Sequence, residues 1–245
     1  MKTKVSFLHT SPAAIPPLMQ YYGAEAPDLE ITNLLDDGIL RFFRAGDEAA
    51  SEARLRDLLA VARTIYRAEA VLVTCSAVSR GLVERLRGAA GVPLLKIDDP
   101  MAEQAVRTGR RIGVMVTFPP TLETTSRLLE EAARQAGVAV ILEPLVTPEA
   151  YDALLGGDPD RHDQLLIGGL DRLAAGGVDC LVLAQVSMAR ILPKIQGRYP
   201  MPVLSSLPAS LAALRQAMTS AAGASAPSQE PSGAASRRGG TPAAP

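Results

Sequence analysis

An internal repeat limits the folds open to this chain more than any other feature of its sequence. Residues 71–82 (VLVTCSAVSRGL) match residues 181–192 (LVLAQVSMARIL), so that Arg80 aligns with Arg190 and Cys75 with Gln185. The repeat extends further, because residues 5–12 (VSFLHTSP) match residues 112–119 (IGVMVTFP) and residues 92–95 (VPLL) match residues 201–204 (MPVL). The repeat predicts two similar halves that face each other, with a small ligand held between their loops.

Composition supports a globular chain with a substantial core. The 245 residues are 47% hydrophobic, which suffices for one large or two small domains. The net charge of −1 and the scattered basic residues argue against nucleic-acid binding. No apolar run reaches the roughly 18 residues of a membrane span, and the first residues run directly into a strand pattern. We therefore expect a cytoplasmic protein without membrane contact.

Short apolar runs alternate with amphipathic segments, which is typical of parallel sheets flanked by helices. The pattern predicts an α/β fold of two pseudo-symmetric lobes, each with four parallel strands, and a ligand cleft between them. Predicted strands cover residues 4–8, 30–34, 70–74, 93–97, 111–116, 139–142, 180–184 and 202–204. Predicted helices cover residues 13–22, 48–67, 79–89, 101–108, 121–136, 148–155, 160–175 and 188–196.

The predicted division of the chain follows from the repeat. The first lobe comprises residues 1–97 and about 205–222, and the second comprises residues 98–204. Residues 223–245 are rich in Ala, Ser, Pro and Gly and contain no large apolar side chain. Such a segment cannot recover its ordering entropy by burial, so we expect a disordered tail.

Hydroxyl-bearing residues cluster where the predicted strands end. In open α/β sheets, ligands bind beyond the carboxyl ends of the strands, where loop amides and helix N-termini converge. The pocket is expected to be rich in hydroxyls and amides but poor in cations, which suits a small carboxylate. The residues expected at this rim are Thr10, Ser11, Thr74, Cys75, Ser76, Thr117, Gln185, Val186 and Ser187.

The strand-Thr-Cys-Ser segment, its counterpart near residue 185 and the repeat resemble the aspartate/glutamate racemase superfamily. This superfamily includes aspartate, glutamate and hydantoin racemases, maleate isomerase and arylmalonate decarboxylase. The resemblance covers roughly residues 1–218 and implies that Cys75 is the catalytic cysteine of the first half. It further implies that residues 76–78, Ser76, Ala77 and Val78, offer amides to a substrate carboxylate. Carboxylate-binding hydroxyls are implied at Thr10, Ser11, Thr117 and Thr121.

The chain departs from the racemases at Gln185, where they carry a second cysteine. Racemisation without a cofactor needs two acid/base groups on opposite faces of the α-carbon. A glutamine exchanges no proton near neutral pH, although its amide can bind an oxyanion or stabilise a loop. Cys75 remains, and a helix starting near Ser79 is expected to lower its pKa towards neutrality. Cys180 lies within a strand, where a small buried thiol is an ordinary core residue.

Other polar residues have two interpretations each. His9 follows a strand and either points into the pocket or pairs with a neighbouring loop group. His162 lies in the acidic first turn of a helix, where a structural role is favoured. Asp36 is a weak candidate for the cleft, and Asp98 with Asp99 is read chiefly as a helix cap. The two cysteines and two histidines have no metal-ligand spacing, so free thiols and no metal are expected.

The leading hypothesis is a cofactor-independent, racemase/isomerase-like enzyme that acts on a small carboxylate, such as an amino acid or dicarboxylate, through one thiol. One thiol permits one-sided proton transfer, decarboxylation or covalent addition. The alternatives are therefore a decarboxylase-like enzyme and a non-catalytic protein that binds a small carboxylate. The sequence leaves the substrate and a homo-oligomeric state open.

Overall fold

The computed structural model of the chain describes residues 2–224. Most of the predicted disordered tail, residues 225–245, lies outside the described residues. Gly223 and Ala224 belong to the last helix, so the start predicted for the tail is two residues too early.

Two four-stranded parallel sheets form the centre of the fold, one in each half of the chain. The first has the strand order β2-β1-β3-β4 and the second the order β6-β5-β7-β8, so the two halves share one topology. The predicted α/β fold with four parallel strands in each half is confirmed. The strands are β1 (Thr3–His9), β2 (Leu29–Leu35), β3 (Ala70–Val73), β4 (Leu94–Lys96), β5 (Arg111–Val116), β6 (Ile141–Val146), β7 (Cys180–Leu183) and β8 (Val203–Leu204).

Equivalent backbone hydrogen bonds fix the ends of the central strands in both halves. After β3, the amide of Thr74 donates to the carbonyl of Leu8 at 3.0 Å. After β7, the amide of Ala184 donates to the carbonyl of Met115 at 3.1 Å. The next residue in each half, Cys75 or Gln185, therefore leaves its sheet at the same point.

Helices pack on the sheets, and two of them were not predicted. Helix α2 is short and lies between two glycines, of which Gly46 takes the left-handed conformation that ends the helix. Helix α9 begins in a Ser- and Pro-containing segment that resembles a linker, but its leucines face the first sheet. The helices are α1 (Ile15–Glu25), α2 (Ile39–Ala45), α3 (Glu48–Thr64), α4 (Arg80–Ala90), α5 (Asp99–Thr108), α6 (Pro120–Gln135), α7 (Pro148–Leu155), α8 (Pro159–Ala175) and α9 (Ser206–Ala224).

Prolines account for two further differences from the predicted elements. The α-helix expected over residues 188–196 is a 3-10 helix, Val186–Lys194, which contains Pro193. Proline has no amide hydrogen and clashes with the preceding turn, so an α-helix cannot continue through it. Strand β6 runs to Val146 rather than ending at residue 142, and it tolerates Pro144 because it is an edge strand paired with β5 alone.

The 3-10 segment Val186–Lys194 packs on the cores of both halves. Val186 and Ala189 belong to the apolar cluster around β1 and α1, whereas Met188 and Ile191 belong to the cluster under β7 and α8. Each buried aliphatic side chain of this kind contributes about 1.5–3 kcal/mol of transfer free energy. The segment after Gln185 is thus held firmly, and it holds the loops of the two halves together. The exact lobe boundaries stay a prediction.

None of the helices within residues 2–224 has the length and apolar character needed to cross a membrane.

Candidate functional site

A small cavity of about 40 Å³ lies where the carboxyl ends of the strands of both sheets meet. Ten of the residues expected at the site line it: Thr10, Ser11, Thr74, Cys75, Ser76, Ala77, Thr121, Gln185, Val186 and Ser187. Four lining residues were not predicted: Ala14, Leu40, Phe118 and Tyr151. Val78 and Thr117, which were also expected to bind substrate, do not line this cavity.

Cys75 lies two residues beyond β3, in a turn that presents its thiol to the cavity. The amide of Val78 donates to the carbonyl of Cys75 at 3.2 Å, which closes the turn. Ser79 then caps α4 by accepting a hydrogen bond from the amide of Leu82 at 3.1 Å. The helix therefore begins where the sequence predicts.

The expectation of an acidified thiol is wrong. Burial raises the pKa of Cys75 above its ordinary value, since the thiolate loses hydration. The Thr10 hydroxyl, the amides of Ala77 and Val78 and the charge of Lys96 oppose this rise in pKa but do not overcome it. Cys75 is therefore a neutral thiol near pH 7.

The two predicted substrate contacts outside the cavity have other partners. The amide of Val78 is already used in the turn of Cys75, so it is not free for a substrate carboxylate. Thr117 is buried, and both its amide and its hydroxyl donate to the side chain of Gln185. Their assignment as carboxylate contacts is corrected accordingly.

The side chain of Gln185 stabilises the loop that follows β5 by accepting hydrogen bonds from it. Its Oε1 accepts hydrogen bonds from the amide of Thr117 at 2.6 Å, the hydroxyl of Thr117 at 3.1 Å and the amide of Phe118 at 3.1 Å. Within the described residues its Nε2 has no acceptor. The sequence left open whether this amide stabilises a loop or binds a ligand. The carbonyl oxygen stabilises the loop, and the Nε2 group is available to a ligand.

Tyr151 closes the cavity from the second half of the chain. Its hydroxyl forms a 2.7 Å hydrogen bond with the hydroxyl of Ser11, which follows β1 in the first half. Its ring packs against Phe118, with ring centroids 5.7 Å apart. The guanidinium carbon of Arg44 lies over the Phe118 ring, 5.2 Å from its centroid. Burial raises the pKa of Tyr151, and the nearby Cys75 adds to this effect. The phenol is therefore protonated at neutral pH.

The repeat contained a signal for Tyr151 that the sequence prediction missed. Leu40 and Tyr151 both line the cavity, and each lies five residues beyond the end of its edge strand, β2 or β6. The loops after the edge strands thus approach the same ligand space as the loops after the central strands. Asp36, the candidate proposed in the first of these loops, instead caps Gly38 and pairs with Arg54 at 2.9 Å.

His9 lies behind the cavity wall rather than in the cavity. Its Nδ1 is 2.7 Å from the hydroxyl of Thr74, and its Nε2 is 2.8 Å from Oδ1 of Asn33. Burial lowers its pKa, so the ring is neutral at pH 7. The Thr74 hydroxyl also lies 3.0 Å from the carbonyl of Leu8, so the ring of His9 and this carbonyl together hold a cavity-lining hydroxyl in place.

A buried ion pair lies close to Cys75 and was not foreseen. Lys96, at the end of β4, is 2% exposed and pairs with the carboxylate of Asp98, which is fully buried. Asp98 occupies the N-cap position of α5 but makes no capping hydrogen bond, so the cap interpretation is wrong for its side chain. Burial raises the pKa of the neighbouring Asp99 to about 6.

The remaining candidates serve the structure away from the cavity. His162 is buried and bonds to Asp163 at 2.8 Å, and Asp163 also binds Arg190 at 2.8 Å. This cluster ties α8 to the 3-10 segment. Cys180 is buried in β7, and burial raises its pKa to about 11, as befits a core thiol. Within residues 2–224, no cluster of three or more His, Cys, Asp or Glu side chains is arranged to hold a metal ion.

The sequence of the chain matches the family model described as Asp/Glu/hydantoin racemase over residues 12–214. The chain belongs to this family. Curated protein sequences gave no significant match. Solved structures share its fold at low identity, among them a glutamate racemase from Bacillus anthracis with 15% identity and a TM-score of 0.67. That alignment covers 89% of this chain and 82% of the racemase.

Two further racemase structures show the same fold. Allantoin racemase from Klebsiella pneumoniae has 17% identity and a TM-score of 0.64, with 90% of this chain and 89% of that one aligned. An aspartate racemase homologue from Pyrococcus horikoshii has 15% identity and a TM-score of 0.62, with 89% of this chain and all of that one aligned. These structures show the fold, and the family model shows the family.

Proposed function

We propose that this racemase-family protein is a cofactor-independent enzyme that moves a proton on the α-carbon of a small carboxylate, with Cys75 as an acid/base group. The observation that carries the proposal is the placement of Cys75 in a cavity formed by both halves of the chain. Of the residues that line this cavity, Cys75 and Tyr151 alone have side chains that gain or lose a proton between about pH 5 and 11.

Unpaired donors around the thiol favour a carboxylate ligand. Ser76, Val186 and Ser187 line the cavity, and within the described residues their backbone amides have no hydrogen-bond acceptor. The buried hydroxyl of Thr10 also lacks a well-aligned partner. Buried donors without acceptors are costly, so a ligand that accepts several hydrogen bonds would satisfy them. A carboxylate has the two oxygens that such a set of donors suits.

The size of the cavity favours a small substrate. At about 40 Å³ the cavity holds little more than a carboxylate and a few further atoms unless its walls move. Arg44 lies over Phe118 at the wall and forms no ion pair within residues 2–224, so it offers a positive charge near the entrance. An amino acid or a small dicarboxylate fits these features, and both remain within the proposal.

The state of the thiol supports a second candidate, a decarboxylase-like reaction. The raised pKa keeps Cys75 protonated, and a neutral thiol is the form that delivers a proton to the carbanion left after loss of carbon dioxide. A racemase instead needs the thiolate for the first step. The two candidates differ in whether carbon dioxide is released and whether the α-proton exchanges with solvent.

Exchange of the α-proton in heavy water tests the proposal. We would incubate the protein with each enantiomer of aspartate and glutamate and with phenylmalonate, and follow deuterium incorporation by NMR and carbon dioxide release by a coupled assay. Cys75→Ser should reduce the observed reaction by about 10²–10⁴-fold, the usual contribution of an acid/base group. Cys180→Ala is the matched control, because its thiol lies in the core and should not affect turnover.

The outcomes separate the candidates. Exchange without carbon dioxide release supports the racemase-like reaction, whereas stoichiometric carbon dioxide release supports the decarboxylase-like one. Binding of these carboxylates without exchange or release would identify a non-catalytic binding protein. Equal activity of Cys75→Ser and the unaltered protein would refute the role of Cys75.

A cytoplasmic location belongs to the same proposal. Cys75 and Cys180 are both free thiols, which persist in reducing compartments.

A further inference from the structure

We propose that Tyr151 is a second catalytic residue, which exchanges a proton with the face of the α-carbon opposite Cys75. The inference rests on the proposed racemase-like function and names the group that replaces the absent second thiol. Inversion at carbon requires a proton donor on each face, and the amide of Gln185 cannot serve as one. Some other group must hold that proton if the protein interconverts enantiomers.

The position of Tyr151 fits this role. It lies on α7 and enters the cavity from the second half of the chain, whereas Cys75 follows β3 of the first half. Besides Cys75, it is the cavity-lining residue with a dissociable proton on a side chain. Phe118, fixed through its amide by Gln185, packs against the Tyr151 ring and limits its rotation. The loop held by Gln185 thus supports the phenol.

The hydrogen bond between Ser11 and Tyr151 is compatible with either hydroxyl as the donor, and one of these arrangements leaves the phenolic proton free. The hydroxyl oxygen of Ser11 accepts from the amide of Ala13 at 3.3 Å, so its own hydrogen can be donated to Tyr151. In that arrangement the phenol oxygen accepts a bond from Ser11, and no described residue accepts the hydrogen of Tyr151. This hydrogen is therefore available to a ligand in the cavity. The Ser11 bond also stabilises the phenolate that forms when the hydrogen leaves.

The proton transfer balances without any further reagent. The reactive form is the minor one in which the Cys75 thiol has released its proton to solvent. This thiolate removes the α-proton, which breaks the carbon–hydrogen bond and forms the sulfur–hydrogen bond. The phenol of Tyr151 gives its proton to the opposite face, which forms a new carbon–hydrogen bond and leaves a phenolate. The negative charge has then passed from sulfur to the phenol oxygen. The free enzyme resets when the thiol proton returns to the phenolate through solvent.

Because one acid/base group is a thiol and the other a phenol, the two directions of racemisation require different protonation states of the enzyme. Reaction of one enantiomer starts from the thiolate with a neutral phenol, and reaction of the other starts from the phenolate with a neutral thiol. The phenol ordinarily loses its proton at a higher pH than a thiol. Near pH 7 the enantiomer whose α-proton faces Cys75 should therefore react faster at low substrate concentration.

Tyr151→Phe tests the inference because it removes the hydroxyl and keeps the ring packed on Phe118. The unaltered protein should interconvert the enantiomers of aspartate or glutamate with incorporation of deuterium from heavy water. Tyr151→Phe should still exchange the α-proton of one enantiomer, with retention, but should lose inversion by about 10²–10⁴-fold. Tyr66→Phe is the control, since Tyr66 is exposed and remote from the cavity.

Ser11→Ala provides an independent measurement should Tyr151→Phe fold poorly. Loss of the Ser11 hydrogen bond should raise the pKa of the phenol and shift the alkaline limb of the inversion profile to higher pH. Inversion should fall roughly tenfold more than one-sided exchange at Cys75, so the ratio of the two rates and the pH profile together are the readout. A substitution that merely loosened the cavity would slow both processes and leave the shape of the profile unchanged.

The outcomes keep this inference distinct from the proposed function. Unchanged inversion in Tyr151→Phe would overturn the role of Tyr151 and leave that of Cys75 intact. Exchange with retention alone in the unaltered protein would do the same. Absence of exchange with all four amino-acid enantiomers would overturn the racemase-like function and this inference with it. Selective loss of inversion in Tyr151→Phe is the supporting result.

Discussion

Replacement of Gln185 by methionine should destabilise the protein, because one side-chain carbonyl serves three donors. Methionine has nearly the same length but no comparable acceptor. The amides of Thr117 and Phe118, in residues that are 1% and 4% exposed, would lose their acceptor. A buried donor left unpaired costs about 1–3 kcal/mol, so the two amides together cost about 2–4 kcal/mol once partial access to water is allowed.

Thermal unfolding measures this effect directly. For a chain of this size, 1 kcal/mol corresponds to about 2–4 °C, so Tm should fall by roughly 5–15 °C. Gln185→Glu keeps an acceptor for the same donors and should melt near the unaltered protein at pH 7. It should nevertheless bind carboxylates more weakly, because it adds a negative charge to the cavity wall. Gln196→Met, on the exposed surface, is the control for the substitution itself.

The pattern across these variants decides the outcome. A Tm for Gln185→Met within about one degree of the unaltered protein would show that the loop does not depend on this carbonyl. An equal fall in Tm for Gln185→Glu and Gln185→Met would show that the acceptor is not what matters. Gln185→Cys should also lose stability, because a thiol cannot replace the three hydrogen bonds. Its conversion to a two-thiol racemase therefore requires a second change that restores the loop.

Further predictions concern the electrostatics around the thiol. Alkylation of Cys75 by iodoacetamide should be slow at pH 7 and rise steadily towards pH 10, since burial raises its pKa; a plateau below pH 7 would contradict this. Lys96→Met should raise the pKa of Cys75 further and destabilise the fold by about 3–5 kcal/mol through the unpaired Asp98. The double variant with Asp98→Leu should regain stability in denaturant titrations but not the alkylation rate. Asp99→Asn should stabilise the protein by about 1–3 kcal/mol at pH 7, because a folded-state pKa of about 6 penalises the ionised form. This gain should vanish as pH falls from 6 to below 4, and a gain that persists at pH 3.5 would exclude titration as its cause. Arg44→Gln should raise KM for dicarboxylates roughly two- to fivefold at low ionic strength and little at high salt, with kcat unchanged.

The sequence predicted the sheets and the rim because those features repeat along the chain. Apolar runs mark the strands, and the matched segments around Cys75 and Gln185 mark where the central strands end. These signals are local, and strand periodicity is enough to place them. The predicted hydroxyl rim followed from the same reasoning, and most of it lines the cavity.

The features that the sequence missed depend on contacts between distant segments. Tyr151 meets Ser11 across 140 residues, so no local pattern marks that hydrogen bond. The ion pair of Lys96 with Asp98 is local in sequence, but its complete burial depends on tertiary packing, in which α4 covers the first sheet and α5 covers the second. The predicted direction of the Cys75 pKa shift was wrong for the same reason. Burial in the folded protein outweighs the helix terminus that the sequence displays.

The 3-10 segment Val186–Lys194 also bears on how the protein folds. Its apolar side chains complete two cores at once, so neither half is fully packed until this segment is in place. A duplicated chain could in principle unfold in two steps, one for each half. Here the shared segment makes each half depend on the other, which favours a single cooperative transition. A fragment that ends before Val186 would leave the apolar surface of the first core exposed, and excised halves should associate rather than persist as separate monomers.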